Sequence, residues 1–144
     1  LIAVDTNIMV YAHRQDSEWH RRARELMTTL AEDQYTWAIP WPCIHEFLAI
    51  TTHPRIYDPP SSVQQALEQV DAWLASPALA LIGESTSHWS QLKSQVADGR
   101  VRGPEIHDAR IAAICLAHGV RELLTADRDF SRFPSLATRN PLFA

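Results

Sequence analysis

Residues 4–9, Val-Asp-Thr-Asn-Ile-Met ("VDTNIM"), decide how the rest of the chain is read. The apolar run "LIAV" (1–4) stops at a carboxylate, and a second apolar run opens at Ile8. The first run is short, apolar and without alternation, which predicts a buried strand. Residues 7–13, "NIMVYAH", predict a short helix. Asp5 then has two readings. Asp5 or Asn7 caps the helix, because short polar side chains satisfy the free N–H groups at a helix start. Alternatively, Asp5 is held at the rim of a sheet for chemistry. The rest of the chain has to separate the two.

Outward from this stretch, strands and helices alternate. Residues 16–33 carry Trp19, Ala23, Leu26, Met27 and Leu30 at helical spacing, with Asp16 or Ser17 as the expected cap. "YTWAIP" (35–40) predicts a second strand stopped by Pro40, and a helix follows from Pro42 to before Pro54. After a loop, residues 62–76 predict an amphipathic helix through Val63, Leu67, Val70 and Leu74. "ALALIG" (78–83) predicts a third strand, residues 85–98 a helix, and residues 99–103 a loop. A helix over 104–119 has Pro104 near its start and Gly119 as its C-cap. "VRELLTAD" (120–127) predicts a fourth strand that again ends at an acid, and "SLATRNP" (135–141) a fifth. No repeat or linker interrupts the pattern. The expectation is one domain over 1–144, a three-layer α/β/α fold around a mostly parallel sheet of about five strands.

Composition sets limits. The 144 residues suit a single core, and 46% hydrophobic with 21% charged residues is ordinary for a globular protein. No window approaches the roughly 18 continuous apolar residues of a membrane span. No secretory signal is visible, so the expected location is the cytoplasm. Cys43 and Cys115 are far apart, in apolar surroundings and outside any C-x-x-C pair, which predicts buried free thiols in a reducing compartment. The net charge of −4 argues against a broadly basic nucleic-acid binder. Acids gathered in one metal site, however, would hide a basic rim of Arg21, Arg22, Arg24, Arg100, Arg102, Arg110 and Arg128.

Asp5 follows the first strand and Asp127 the fourth. In open parallel sheets, sites form beyond the carboxyl ends of strands, above all where strand order reverses. If those two strands are neighbours, the acids face each other there. Glu46, in the helix after the second strand, and Asp108, in the first turns of the 104–119 helix, are further candidates. Each acid alone has a structural reading. For Asp108 this is stabilisation of the helix dipole, and for Glu46 it is a solvated face, although Ile44, Phe47, Leu48 and Ile50 leave that face narrow. Four converging carboxylates would repel one another and some would be driven neutral, unless a hard cation joined them. Mg²⁺, or Mn²⁺ in its place, prefers such oxygen ligands.

The blocks "VDTNIMVYAH", "HEFLAI", "HDARIAAICLAHGV" and "ELLTADRDFSRFP" resemble, in order and across essentially the whole chain, the signature blocks of PIN-domain ribonucleases. They are most similar to the VapC toxins of VapBC toxin–antitoxin pairs. The resemblance implies a metal-dependent endoribonuclease whose four acids match Asp5, Glu46, Asp108 and Asp127, with Asp129 as a second candidate for the fourth. It also implies that Asn7 orients the first acid, that Thr125 is a hydroxyl residue beside the fourth, and that the first and fourth strands are adjacent. Arg100, Arg102, Arg110 and Arg128 are candidates for contact with RNA backbone. The implied partners are an RNA substrate, a VapB-like antitoxin and a second copy of the chain in a homodimer.

Other chemistries fit less well. His45-Glu46 begins an H-E-x-x-H zinc motif, but position 49 is Ala. No G-x-S-x-G, P-loop or G-x-G-x-x-G is present. His107 adjoins Asp108 and reads as a surface or supporting residue. Most of the five tryptophans read as core or interface rather than as stacking surfaces for RNA. A receiver-type domain also sets acids at strand ends, but it needs a late strand-end lysine that is missing here. The remaining alternative is a catalytically weak PIN-like module that binds RNA or protein. Binding alone does not call for a carboxylate cluster that repels phosphate.

Overall fold

A computed structural model describes residues 1–143. Strands β1 (Ile2–Val4), β2 (Trp37–Pro40), β3 (Leu79–Ile82), β4 (Glu122–Leu124) and β5 (Thr138–Arg139) form one sheet in the order β3-β2-β1-β4-β5. Every pairing is parallel. Parallel neighbours need long crossovers, which helices supply. These are α1 (Thr6–His13), α2 (His20–Glu32), α3 (Trp41–Thr51), α4 (Val63–Leu74), α5 (His88–Gly99) and α6 (Ile106–Ala117). Short 3₁₀ segments at Gly103–Glu105 and Arg128–Arg132 complete the path. Helix α1 packs on α2 and α3, α3 packs on α4, and α5 packs on α6, giving the expected α/β/α layers. No helix among the described residues is long and apolar enough to cross a membrane.

Sequence explains the layering. Strands covered on both faces read as unbroken apolar runs, and Ala3, Val4, Trp37, Ala38, Ile39, Leu123 and Leu124 are all buried. The edge strand β5 carries exposed Thr138 and Arg139. Helix α4 is set by a capping box in which the Ser62 hydroxyl accepts from Gln65 N–H and the Gln65 side chain accepts from Ser62 N–H. Gly119 ends α6 with φ +70°, as expected of a C-cap glycine. Cys43 and Cys115 are buried and free.

The start of α2 departs from expectation. The helix begins at His20 without a side-chain cap. Asp16 is held instead by Arg14, through bonds of 2.9 and 2.6 Å. The Ser17 hydroxyl accepts from Trp19 N–H one turn too early. A guanidinium two residues away offered Asp16 a stronger partner than a helix N–H does.

The end of α5 is unusual in another way. A Cβ on Gly99 would lie 2.8 Å from Phe133 Cε1 and 3.2 Å from the Arg132 carbonyl oxygen, so the glycine is required for close packing. The left-handed position that commonly takes a helix-ending glycine comes one residue later and is occupied by Arg100 (φ 51°, ψ 37°). Because Phe133 is a buried ring with little room to move, Gly99→Ala is expected to lower stability by about 1–3 kcal/mol through overpacking. A urea-unfolding midpoint equal to that of the wild type would show that Phe133 yields freely.

Candidate metal centre

The strand order places a reversal between β1 and β4, from which the chain runs outward to β2 and β3 on one side and to β5 on the other. The register pairs Val4 with Leu124, and Asp5 N–H donates to the Leu124 carbonyl at 3.0 Å. Asp5 therefore stands beside Thr125 at the carboxyl end of the sheet. The Thr125 hydroxyl donates to Asp5 Oδ2 at 2.7 Å. Asp5 Oδ1 accepts from Thr6 N–H at 2.8 Å, and the Cys43 thiol approaches the same oxygen at 3.6 Å. Asp5 is thus both the N-cap of α1 and a rim carboxylate, and the two readings of "VDTNIM" describe one side chain. Burial pushes its carboxyl up to about 6, against the lowering effects of Thr125 and Thr6, and the charge of Glu46 pushes it the same way.

Thr125 also organises the second acid loop. Its oxygen accepts from Asp127 N–H at 3.0 Å and, at 3.5 Å, from Asn7 Nδ2. Asn7 Oδ1 accepts from Ala126 N–H at 3.2 Å. Asn7 therefore ties α1 to the end of β4 and reaches Asp5 only through Thr125.

Asp108, in the first turn of α6, meets Asp127 and Asp129. One carboxylate oxygen of each lies within 4.8 Å of the others. The fold thus brings both candidates for the fourth acid together. Asp127 Oδ1 accepts from Asp129 N–H at 2.8 Å and caps the Arg128–Arg132 segment, while Asp129 is exposed. Burial and then the charges of Asp127, Asp5, Asp129 and Glu46 push the Asp108 carboxyl up to about 7. Glu46 is half-buried at the edge of the group, with Oε2 accepting from the Thr6 hydroxyl at 2.8 Å. Its effect on Asp108 is the weakest of the four.

Asp108, Asp127 and Asp129 converge here, with Asp5 and Glu46 near enough for their charges to act on Asp108, and none of the five belongs to an ion pair among the described residues. The residues fit a hard cation, since the donors are carboxylate oxygens and their mutual repulsion lacks a basic partner. Arg110 is held by Glu84, with Nε donating at 2.6 Å. Arg100, Arg102 and Arg128 are exposed and form no ion pair among the described residues. His107 is exposed. Trp37 and Trp73 are core residues and Trp19 packs against the core, whereas Trp41 and Trp89 are exposed.

Thr6, Cys43 and the pairing of Asp127 with Asp129 were not singled out by the sequence reading. Thr6 sat in the opening stretch, but its bond to Glu46 spans 40 residues. Cys43 read only as a buried thiol.

The PIN domain profile matches residues 2–136, and the chain belongs to the PIN domain family, among its VapC-type members. It is 36% identical over 142 residues to the VapC ribonuclease Mb2897 of Mycobacterium bovis, covering 99% of this chain and 96% of that one. Among solved structures, VapBC2 from Rickettsia felis, bound to a DNA fragment from its promoter, aligns with a TM-score of 0.66 at 21% identity, covering 96% of each chain. Mycobacterium tuberculosis VapC20, a toxin that cleaves the sarcin–ricin loop, aligns with a TM-score of 0.68 at 15% identity, covering 91% of this chain and 93% of that one. At these identities the two structures bear on the fold alone.

The raised carboxyls have a consequence for stability. Asp5 and Asp108 hold protons more tightly in the folded chain than at their ordinary value of 3.8. Between about pH 4 and 7 the folded state binds more protons than the unfolded one, so stability falls as pH rises through that window. The melting temperature in EDTA is expected to drop from pH 5 to pH 8. Mg²⁺ or Mn²⁺ should restore it at pH 8 and do little at pH 5, where protons compete for the same oxygens. A flat profile that divalent cations leave unchanged would contradict this account of the cluster.

Proposed function

We propose that this protein is a metal-dependent endoribonuclease that hydrolyses RNA phosphodiester bonds, and that it acts as the toxin of a type II toxin–antitoxin pair. The observation that carries the reading is the gathering of Asp108, Asp127 and Asp129 at the sheet reversal, under the added charges of Asp5 and Glu46 and without a basic partner. Membership of the PIN domain family and the 36% identity to a VapC ribonuclease support it. Asp5, Asp108 and Asp127 would hold Mg²⁺ or Mn²⁺, with Asp129 and Glu46 at the border. A divalent cation bound there supplies positive charge against the scissile phosphate and makes water more acidic.

The chain's own residues do the rest. Thr6 and Thr125 fix both oxygens of Asp5, which keeps one charge in place as substrate arrives. Asn7 and Thr125 hold the turn that presents Asp127. Glu46 has one oxygen anchored by Thr6, and its Oε1 is left to accept the proton of an attacking water. Exposed arginines bind the RNA backbone. The partner is a VapB-like antitoxin that covers the site, the toxin is a homodimer, and the location is the cytoplasm.

RNA cleavage is expected with Mg²⁺ or Mn²⁺ and should cease with excess EDTA. Unchanged cleavage without metal would sink the mechanism. Asp5→Asn separates chemistry from capping. Asparagine keeps the size and one oxygen for the cap but sets an NH2 where the Thr6 N–H or the Thr125 hydroxyl now meets an oxygen, so stability near pH 7.5 should fall by about 1–3 kcal/mol with the fold intact, while cleavage falls by orders of magnitude. Mapping of cleavage sites on total RNA, with Asp5→Asn as the control, reads out both activity and target. A folded, fully active Asp5→Asn protein would return Asp5 to the role of a cap.

A further inference from the structure

Which way RNA reaches the acids is a separate question, and its answer rests on the nuclease reading above. Two sides of the cluster differ in charge. On the β3 side, Arg110 is locked to Glu84, and Glu46 adds a further negative charge. On the other side lies the 99–105 loop between α5 and α6. Gly99 packs against Phe133 and the Arg132 carbonyl, and Glu105 pairs with Arg132 at 2.9 Å, so both ends of this loop are tied to the C-terminal end of the Arg128–Arg132 segment. Both pieces lead directly into the cluster, the loop to Asp108 and the 3₁₀ segment from Asp127 and Asp129. Arg100 and Arg102 on the loop and Arg128 on the segment are exposed and have no ion-pair partner among the described residues.

Arg100 adds an independent observation. It is the one non-glycine residue with positive φ among the described residues. Glycine takes that conformation without a Cβ clash, and arginine does not. An arginine held in a left-handed position at the end of α5, exposed and unpaired on the loop that leads to Asp108, is free to meet a ligand.

We propose that single-stranded RNA enters along the 99–105 loop, with Arg100, Arg102 and Arg128 holding successive phosphates and Arg100 as the anchor. The β3 side, neutralised by Glu84 and bearing Glu46, is not the route. Phosphate contacts of this kind set affinity and its salt dependence rather than base preference.

The test combines three measurements on the full chain. Binding of a fluorescent single-stranded RNA is followed in EDTA across a salt series, cleavage is followed with Mg²⁺, and thermal midpoints are recorded. Arg100→Gly, Arg102→Gln and Arg128→Gln should each weaken binding by about three- to tenfold and reduce the salt slope by about 0.7. Arg100→Lys should retain the slope. Arg100→Gly should melt no lower than wild type, because it relieves the left-handed backbone. Arg110→Gln should affect affinity and slope less than any of the three. The route is wrong if Arg100→Gly keeps the wild-type slope, or if Arg110→Gln costs as much affinity as the loop variants. Either result, with wild-type cleavage intact, overturns the route and spares the nuclease reading. A wild-type protein that neither binds nor cuts RNA overturns both.

Discussion

A carboxylate taken out of water needs donors around it, and the burial of Asp5 sets the terms for the rest of this structure. Its two oxygens are met by a backbone N–H from α1, a hydroxyl from the residue that follows β4 and a thiol from α3. Those donors come from three separate parts of the chain. They meet only if β1 lies beside β4 in the observed register and α3 begins directly at the end of β2. The strand order and the donor shell are therefore one requirement seen at two scales. Even with its donors, Asp5 retains a raised proton affinity, because burial outweighs them.

The remaining acids extend this strain outward. Asp108 is half-buried, and its carboxyl rises to about 7 first through that burial and then through the four other negative charges that act on it. Some acids elsewhere in the molecule are held by a cation. Asp16, Glu84, Glu105 and Glu122 each have an arginine. Exposed acids such as Glu18, Glu32 and Asp98 also form no ion pair among the described residues, so it is the crowding of acids at the sheet reversal, not the missing arginine, that separates a site from a solvated surface.

Much of this was legible in the sequence, for physical reasons. Apolar runs ending at Asp5 and Asp127 marked strand ends, because a strand covered on both faces cannot hide its periodicity in alternation. The alternation of strands and helices pointed to a parallel sheet. Adjacency of β1 and β4 came only through resemblance, since nothing local in either strand names its neighbour. The α2 cap failed because Arg14 claimed Asp16, a competition that propensity does not weigh. Arg110 read as a free cation because Glu84 lies 26 positions earlier in the chain. Thr6 and Cys43 escaped notice for the same reason, as their importance lies in contacts across 40 and 38 residues.

The Thr125 hydroxyl serves two strand ends at once. It gives its only hydrogen to Asp5 and receives the N–H of Asp127, with Asn7 at longer range. A hydroxyl has one proton to give and two lone pairs, so its capacity is used up. In mechanical terms the two acid loops share a single hinge pin. A change that loosens one loop therefore disturbs the other, and the two acids move as one mechanical unit.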